Sequence, residues 1–283
     1  MCIRDSDNSL NLDTSVIENS ITKNTKALLP VHMMGAPVDM VGIQSTAKKY
    51  NLIIVEDNAQ CCGGTYQGKL LGTFGQASAF SFDGGKTLMT GEGGMVLTND
   101  EKVFIRSRAY HDHGHAYNTS VGRGEDFAIM NGFNYRMTEL QGAIGIEQLK
   151  KLDFIIDEQR KNKKKIKEQI YHLPLEFRKI NDEGEIGDTI VFFLPTLEIT
   201  QKFMDKMRSV GMGTKNLPDA LNWHFAGKWQ HLFNKILSQQ NYRWDKSKLI
   251  LERSIALPVM VNMSDSKIDE ISSNIKKFCT ELL

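Results

Sequence analysis

The chain has 283 residues, 41% hydrophobic and 24% charged, and its 35 basic residues against 34 acidic ones leave a net charge of +1. That length holds a large and a small domain, and the even charge gives no pull toward nucleic acid or an anionic membrane. No apolar stretch is long enough to span a bilayer, and the opening MCIRDSDNSL lacks the basic-then-apolar order of a secretory signal.

The first half alternates apolar runs with helical patterns. Lys26 to Met34 (KALLPVHMM) reads as a buried strand, and Pro37 then opens a helix, PVDMVGIQSTAKKY. Leu52 to Glu56, Ala77 to Phe82 and Gly93 to Asn99 read as further strands. Helices are expected from about Asp100 and over Arg136 to Leu152. Strand and helix alternating at this spacing predict an α/β fold with a mainly parallel sheet. A long charged helix, Leu152 to Tyr171, then leads into short strands at Leu175 to Lys179 and Thr189 to Leu197. Helices are expected near Thr200 to Val210 and over Asp265 to Leu282. The division expected is a large domain over residues 1–152 and a smaller α+β domain over 153–283. The basic run from Arg160 to Lys167 reads as a solvated helix face.

The polar start reaches its first convincing strand only near Lys26, so a front end truncated at the N-terminus is expected. Cys2, Cys61, Cys62 and Cys279 lack zinc-ligand spacing and read as buried or half-buried thiols of a cytoplasmic protein.

Two segments carry the chemistry. In VEDNAQ, Asp57 ends a buried strand at the crevice where open α/β sheets bind ligands; taken alone it reads sooner as a helix cap or turn residue. In FSFDGGKTLMTGEGG, Lys86 lies in a glycine-rich turn after a strand, with Ser81 upstream offering a hydroxyl to a phosphate. A nucleotide P-loop is excluded because its first glycine falls on Phe80, and no G-x-G-x-x-G follows a strand. His111, His113 and His115 alternate as on one side of a strand; they read as a loop feature near a substrate entrance rather than as metal ligands.

Taken together, ALLPVHMMGAPVDM, VEDNAQCCGGTYQGKLLGTFG, AFSFDGGKTLMTGEGGMVLTND and GFNYRMTELQGAIGIEQLKKLD resemble the DegT/DnrJ/StrS family of sugar aminotransferases. The resemblance implies the type I fold of pyridoxal-phosphate enzymes. It also implies that Lys86 carries pyridoxal 5'-phosphate and that Asp57 pairs with the pyridine nitrogen. Gln60 is then expected against the cofactor ring and Ser81 on its phosphate. Asn134 would reach the phosphate of a neighbouring subunit, in a homodimer with shared active sites, and His32 would border the substrate. The family's Ser-Gly-Thr phosphate turn and ring-stacking aromatic residue have no counterpart in this chain.

The implied reaction moves an amino group from an amino acid, glutamate first among candidates, to a keto or aldehyde sugar. YHDHGH, GRGED, QRKNKKKIKEQI and NWHFAGKWQHLF resemble the branch that forms 8-amino-3,8-dideoxy-manno-octulosonate for lipopolysaccharide. Two alternatives stand beside it: a sugar dehydratase on the same scaffold, in which histidine replaces the cofactor lysine, and a non-catalytic binding protein or inactive fragment.

Overall fold

A computed structural model describes residues 7–229 and 244–283. Cys2 and the end of the NWHFAGKWQHLF stretch lie outside the described residues. Along the first part run β1 (Ala27–Leu28), helix α1 (Met40–Tyr50), β2 (Ile53–Asp57), a hairpin of β3 (Thr65–Tyr66) and β4 (Lys69–Leu70), β5 (Ala77–Ser81) and β6 (Gly94–Thr98). One sheet has the order β1-β2-β5-β6, with the first three strands parallel and β6 antiparallel at its edge.

The local departures from expectation have local causes. The first strand shrinks to two residues because Pro30 has no N–H to give; beyond it only Val31 bridges Asp57, and Met33–Gly35 turns tightly. Helix α1 starts at Met40 rather than Pro37, since the Asp39 carboxylate accepts the Gly42 N–H at 3.1 Å, a cap worth about 1 kcal/mol. After α2 (Glu101–His111), the helix expected over Arg136 to Leu152 is shorter at both ends. Thr138 and Gln141 form a capping box that opens α3 (Glu139–Leu149), and the chain breaks before α4 (Leu152–Ile170).

The second sheet is antiparallel: β7 (Glu176–Phe177), β8 (Thr189–Phe193) and β9 (Ser254–Pro258) in that order. It packs with α4, α5 (Leu197–Ser209) and the helix Asp265–Leu282. Strand β8 is buried along its whole length because both faces are covered. Ile190 and Phe192 join Phe203, Met207, Ile275 and Phe278, while Val191 and Phe193 join Leu10, Met33, Leu217 and Phe225. Helix α4 feeds both halves, with Leu152 and Ile156 in the core of the first sheet and Ile166 and Ile170 in that of the second.

The basic run on α4 is not uniformly solvated. Lys163 is buried and ion-paired with Glu185, and the Asn162 amide donates to the carbonyls of Met260 and Val261. The polar N-terminal stretch is likewise partly built in, for Asn11 accepts from the Met33 N–H and donates to the Pro37 carbonyl. By contrast, α3 has no buried residue, and Met95, Val96 and Leu97 of β6 stand exposed with Leu140, Ile146, Leu149 and Phe154. No helix among the described residues is long and apolar enough to cross a membrane.

Candidate active site

The site forms at the carboxyl ends of β2 and β5, which run side by side with Asp57 in register with Ala79. Past β2 the chain turns, and the Asp57 Oδ1 accepts the Ala59 N–H at 3.1 Å, so the turn role is real and engages one oxygen. Three residues after Asp57, Gln60 Oε1 accepts the Met34 N–H at 2.8 Å, tying this turn to the one after β1.

Past β5 the chain forms a loop organised by Asp83, which sequence reasoning missed. Its Oδ1 accepts the Gly85 N–H at 2.7 Å, while its Oδ2 accepts the Ser81 hydroxyl at 3.3 Å and lies 3.4 Å from Lys86 Nζ. The Gly85 N–H, helped by the Lys86 ammonium, holds the Asp83 carboxyl below its ordinary range despite partial burial. The Lys86 side chain is thereby held, 22% exposed, in a loop closed by Lys86 N–H to Asp83 O and Thr90 N–H to Phe82 O.

Gln60, Ser81, Asp83 and Lys86 line one cavity of about 230 Å³. Asp57 is not on the lining, but its carboxylate is bonded to the backbone of Ala59, which is. Cys62 also borders the cavity, its thiol pushed up by burial, and buried Cys61 shifts the same way.

The opposite wall comes from the second sheet and its connections: Asp188, Lys215, Asn216 and His224. Lys215 donates its N–H to Ala256 O of β9, and the Ala256 N–H returns a bond to Leu217 O. The Lys215 amine ion-pairs with Asp188, which also accepts the Thr189 hydroxyl at 2.9 Å. Burial, with the Lys86 charge adding to it, brings the His224 imidazole down to about 4, so the ring is neutral at pH 7. None of these four was singled out from the sequence; only the NWHFAGKW stretch that contains His224 was noticed.

His32 is not brought to the cavity. It is fully buried, its Nδ1 accepts the Val38 N–H at 3.2 Å, and its Nε2 lies 3.4 Å from Glu56 Oε2. Both ring nitrogens are engaged, so a substrate contact through His32 finds no free one, and the weaker expectation gives way to a structural role. Glu56 also accepts N–H groups from Gly72, Phe74 and Gly75, which fixes the loop under β2.

Asn134 is exposed, away from the cavity, its backbone bridging Asp112. The histidines do not lie on a strand: His111 ends α2, and His113 takes a positive φ in the turn that follows. Ligand atoms of Asp112, His113 and His115 come within 4.8 Å of one another. Yet both Asp112 oxygens are bonded by Arg123, and Arg136 and Tyr117 add further bonds. Two guanidinium groups against the same carboxylate repel a metal cation.

Pyridoxal phosphate needs an amine for its aldehyde, an anion for its pyridine nitrogen and donors for its phosphate. Lys86, Asp57 and Ser81 are residues of those three types, gathered at one end of the sheet, and the donor set fits the cofactor.

Comparison with known proteins agrees. The profile of the DegT/DnrJ/EryC1/StrS aminotransferase family matches residues 3–276. A GDP-perosamine synthase of Escherichia coli O157:H7 is 31% identical over 278 residues, which cover 98% of this chain and 72% of that protein. An aminotransferase from Psychrobacter cryohalolentis superposes with a TM-score of 0.86 at 26% identity, covering 98% of this chain and 75% of its own. Helicobacter pylori PseC, an aminotransferase involved in pseudaminic acid biosynthesis, shares the fold with a TM-score of 0.85 at 23% identity, over 98% of this chain and 73% of PseC. The chain belongs to the DegT/DnrJ/EryC1/StrS aminotransferase family, whose members are pyridoxal-phosphate enzymes of fold type I.

Proposed function

We propose that the protein transfers an amino group from an amino acid, with glutamate as donor, to a keto or aldehyde carbon of a sugar destined for cell-surface polysaccharide. The observation that carries this reading is the Lys86 amine on a cavity shared with Ser81 and Gln60, with Asp57 bonded to the lining residue Ala59. When bound, pyridoxal phosphate supplies the electron sink for bond breaking at the donor carbon. Lys86 holds the cofactor, and its Nζ, once free, takes up the proton that leaves the donor α-carbon. Asp57 keeps a positive charge on the ring nitrogen. Gln60 would lie against the ring, and Ser81 would meet the phosphate together with Asn134 of a neighbouring subunit.

A homodimer in the cytoplasm follows from this assignment, and the exposed apolar side chains of β6 and α3 support a covered face there. Residues 1–152 would carry the cofactor side and 153–283 the smaller domain closing on it; the two cores fed by α4 support that division. Dehydratases share the fold, among them a GDP-4-keto-6-deoxy-D-mannose-3-dehydratase of E coli with a TM-score of 0.82. Lysine at position 86 supports transfer over dehydration. The finer reading is amination of an octulosonate at carbon 8. It rests on YHDHGH, GRGED, QRKNKKKIKEQI and NWHFAGKWQHLF.

Adding pyridoxal phosphate should give a visible absorbance band, and borohydride should then fix the cofactor to the Lys86 peptide. Glutamate and a panel of keto sugars, octulosonate included, should yield an amino sugar. A trapped label on some other lysine, or no amino sugar from any member of the panel, would count against the proposal.

A further inference from the structure

The second wall of the cavity carries a cation to which the reaction as described gives no task. Lys215 is anchored through the backbone to Ala256 of β9, and its amine is held by Asp188, whose side chain is only 5% exposed. An ammonium has three N–H donors and Asp188 engages one, leaving two for whatever enters the cavity that Lys215 lines. The only other cation among the described lining residues is Lys86, which is assigned to the cofactor. An amino-acid donor brings a carboxylate that loses water as it enters, and an anion in such a place needs a charged partner.

We infer that Lys215 receives the carboxylate of the amino-acid donor, with Asp188 as the positioning residue that keeps the ammonium extended into the cavity. Asp188 restrains a side chain that is otherwise rich in rotamers, so little freedom remains to be lost when the donor arrives. The inference deepens the aminotransferase reading and rests on it.

The test uses the full chain loaded with pyridoxal phosphate, L-glutamate as donor and a keto sugar as acceptor. Lys215→Ala should raise the KM for glutamate about 10- to 100-fold, with kcat and the sugar KM within about threefold of the parent. Lys215→Arg should recover most of the loss. Because Lys215→Ala leaves Asp188 buried without its partner, a Lys215→Met/Asp188→Asn double variant, which removes both charges, serves as the folded control and should show the same rise. Calorimetric binding of 2-oxoglutarate reads the same contact without turnover and should weaken by a similar factor. Folded variants that keep the parent's glutamate KM overturn the assignment, as does a rise confined to the sugar KM. A parent chain that forms no amino sugar defeats the aminotransferase reading itself, a separate outcome.

Discussion

The two walls of the Lys86 cavity are assembled in different ways. The first is made of two turns that follow neighbouring parallel strands, so Gln60, Ser81, Asp83 and Lys86 come from a stretch of under 30 residues. The second gathers Asp188, Lys215, Asn216 and His224 from segments that meet only because β8 and β9 pair and pack. A wall built from local turns tolerates little change in its own residues. A wall built by packing can be damaged from a distance. The first carries the groups suited to bond making, and the second those suited to recognition.

The largest effect that contrast predicts is on the first wall. Lys86→Ala should lower amino transfer roughly a thousandfold or more, because covalent anchoring and proton transfer are lost together. Its urea unfolding midpoint should stay near that of the parent, since a partly exposed amine paired only with Asp83 adds little to stability. If Lys86→Ala turned over normally, the two walls would not differ in the way described.

Next in size is an effect on the second wall from behind. Phe192 is fully buried on β8 and meets Phe203 and Phe177 edge-on, with ring centroids 5.8 and 6.3 Å away. Phe192→Ala should cost about 3–5 kcal/mol of stability, read by urea denaturation. In the fraction that remains folded, borohydride should still fix the cofactor to Lys86 while the glutamate KM rises. Equal loss of both would mean that the walls do not act separately.

Much of the first wall was legible beforehand because its residues lie in short motifs at the ends of apolar strands. Position relative to a strand end is a local property, and strand ends read to within about a residue for β2 and β5. Asp83 was within reach: an acid two residues before a glycine, on the loop that carries Lys86, is a turn signal in its own right. The second wall was hidden because Lys215 looks like any surface lysine until β9 and Asp188 are set beside it. His32 failed for the converse reason. The family resemblance of its PVH segment suggested a histidine bordering the site, but three N–H groups and the imidazole meet on Glu56 underneath the sheet end instead. The run from Arg160 to Lys167 misled because charge alone does not reveal that Glu185 waits for Lys163 inside.

The smallest effect tests how enclosed the second wall is. Burial above all brings the His224 imidazole down to about 4, against an ordinary value of 6.5. Between those limits the unfolded chain binds more protons at this position than the folded one. The contribution of His224 to stability is therefore complete above about pH 6.5 and is lost as pH falls toward about 4. His224→Gln removes that titration, so its stability should fall less than the parent's between pH 7 and pH 5, by a modest margin because the ring is partly open to water. Ring resonances followed by NMR give the direct reading: His224 should remain neutral at pH 5.5. Half-protonation near pH 6.5 would mean that the ring stands in water rather than in the enclosed cavity, and the second wall would then be an open rim.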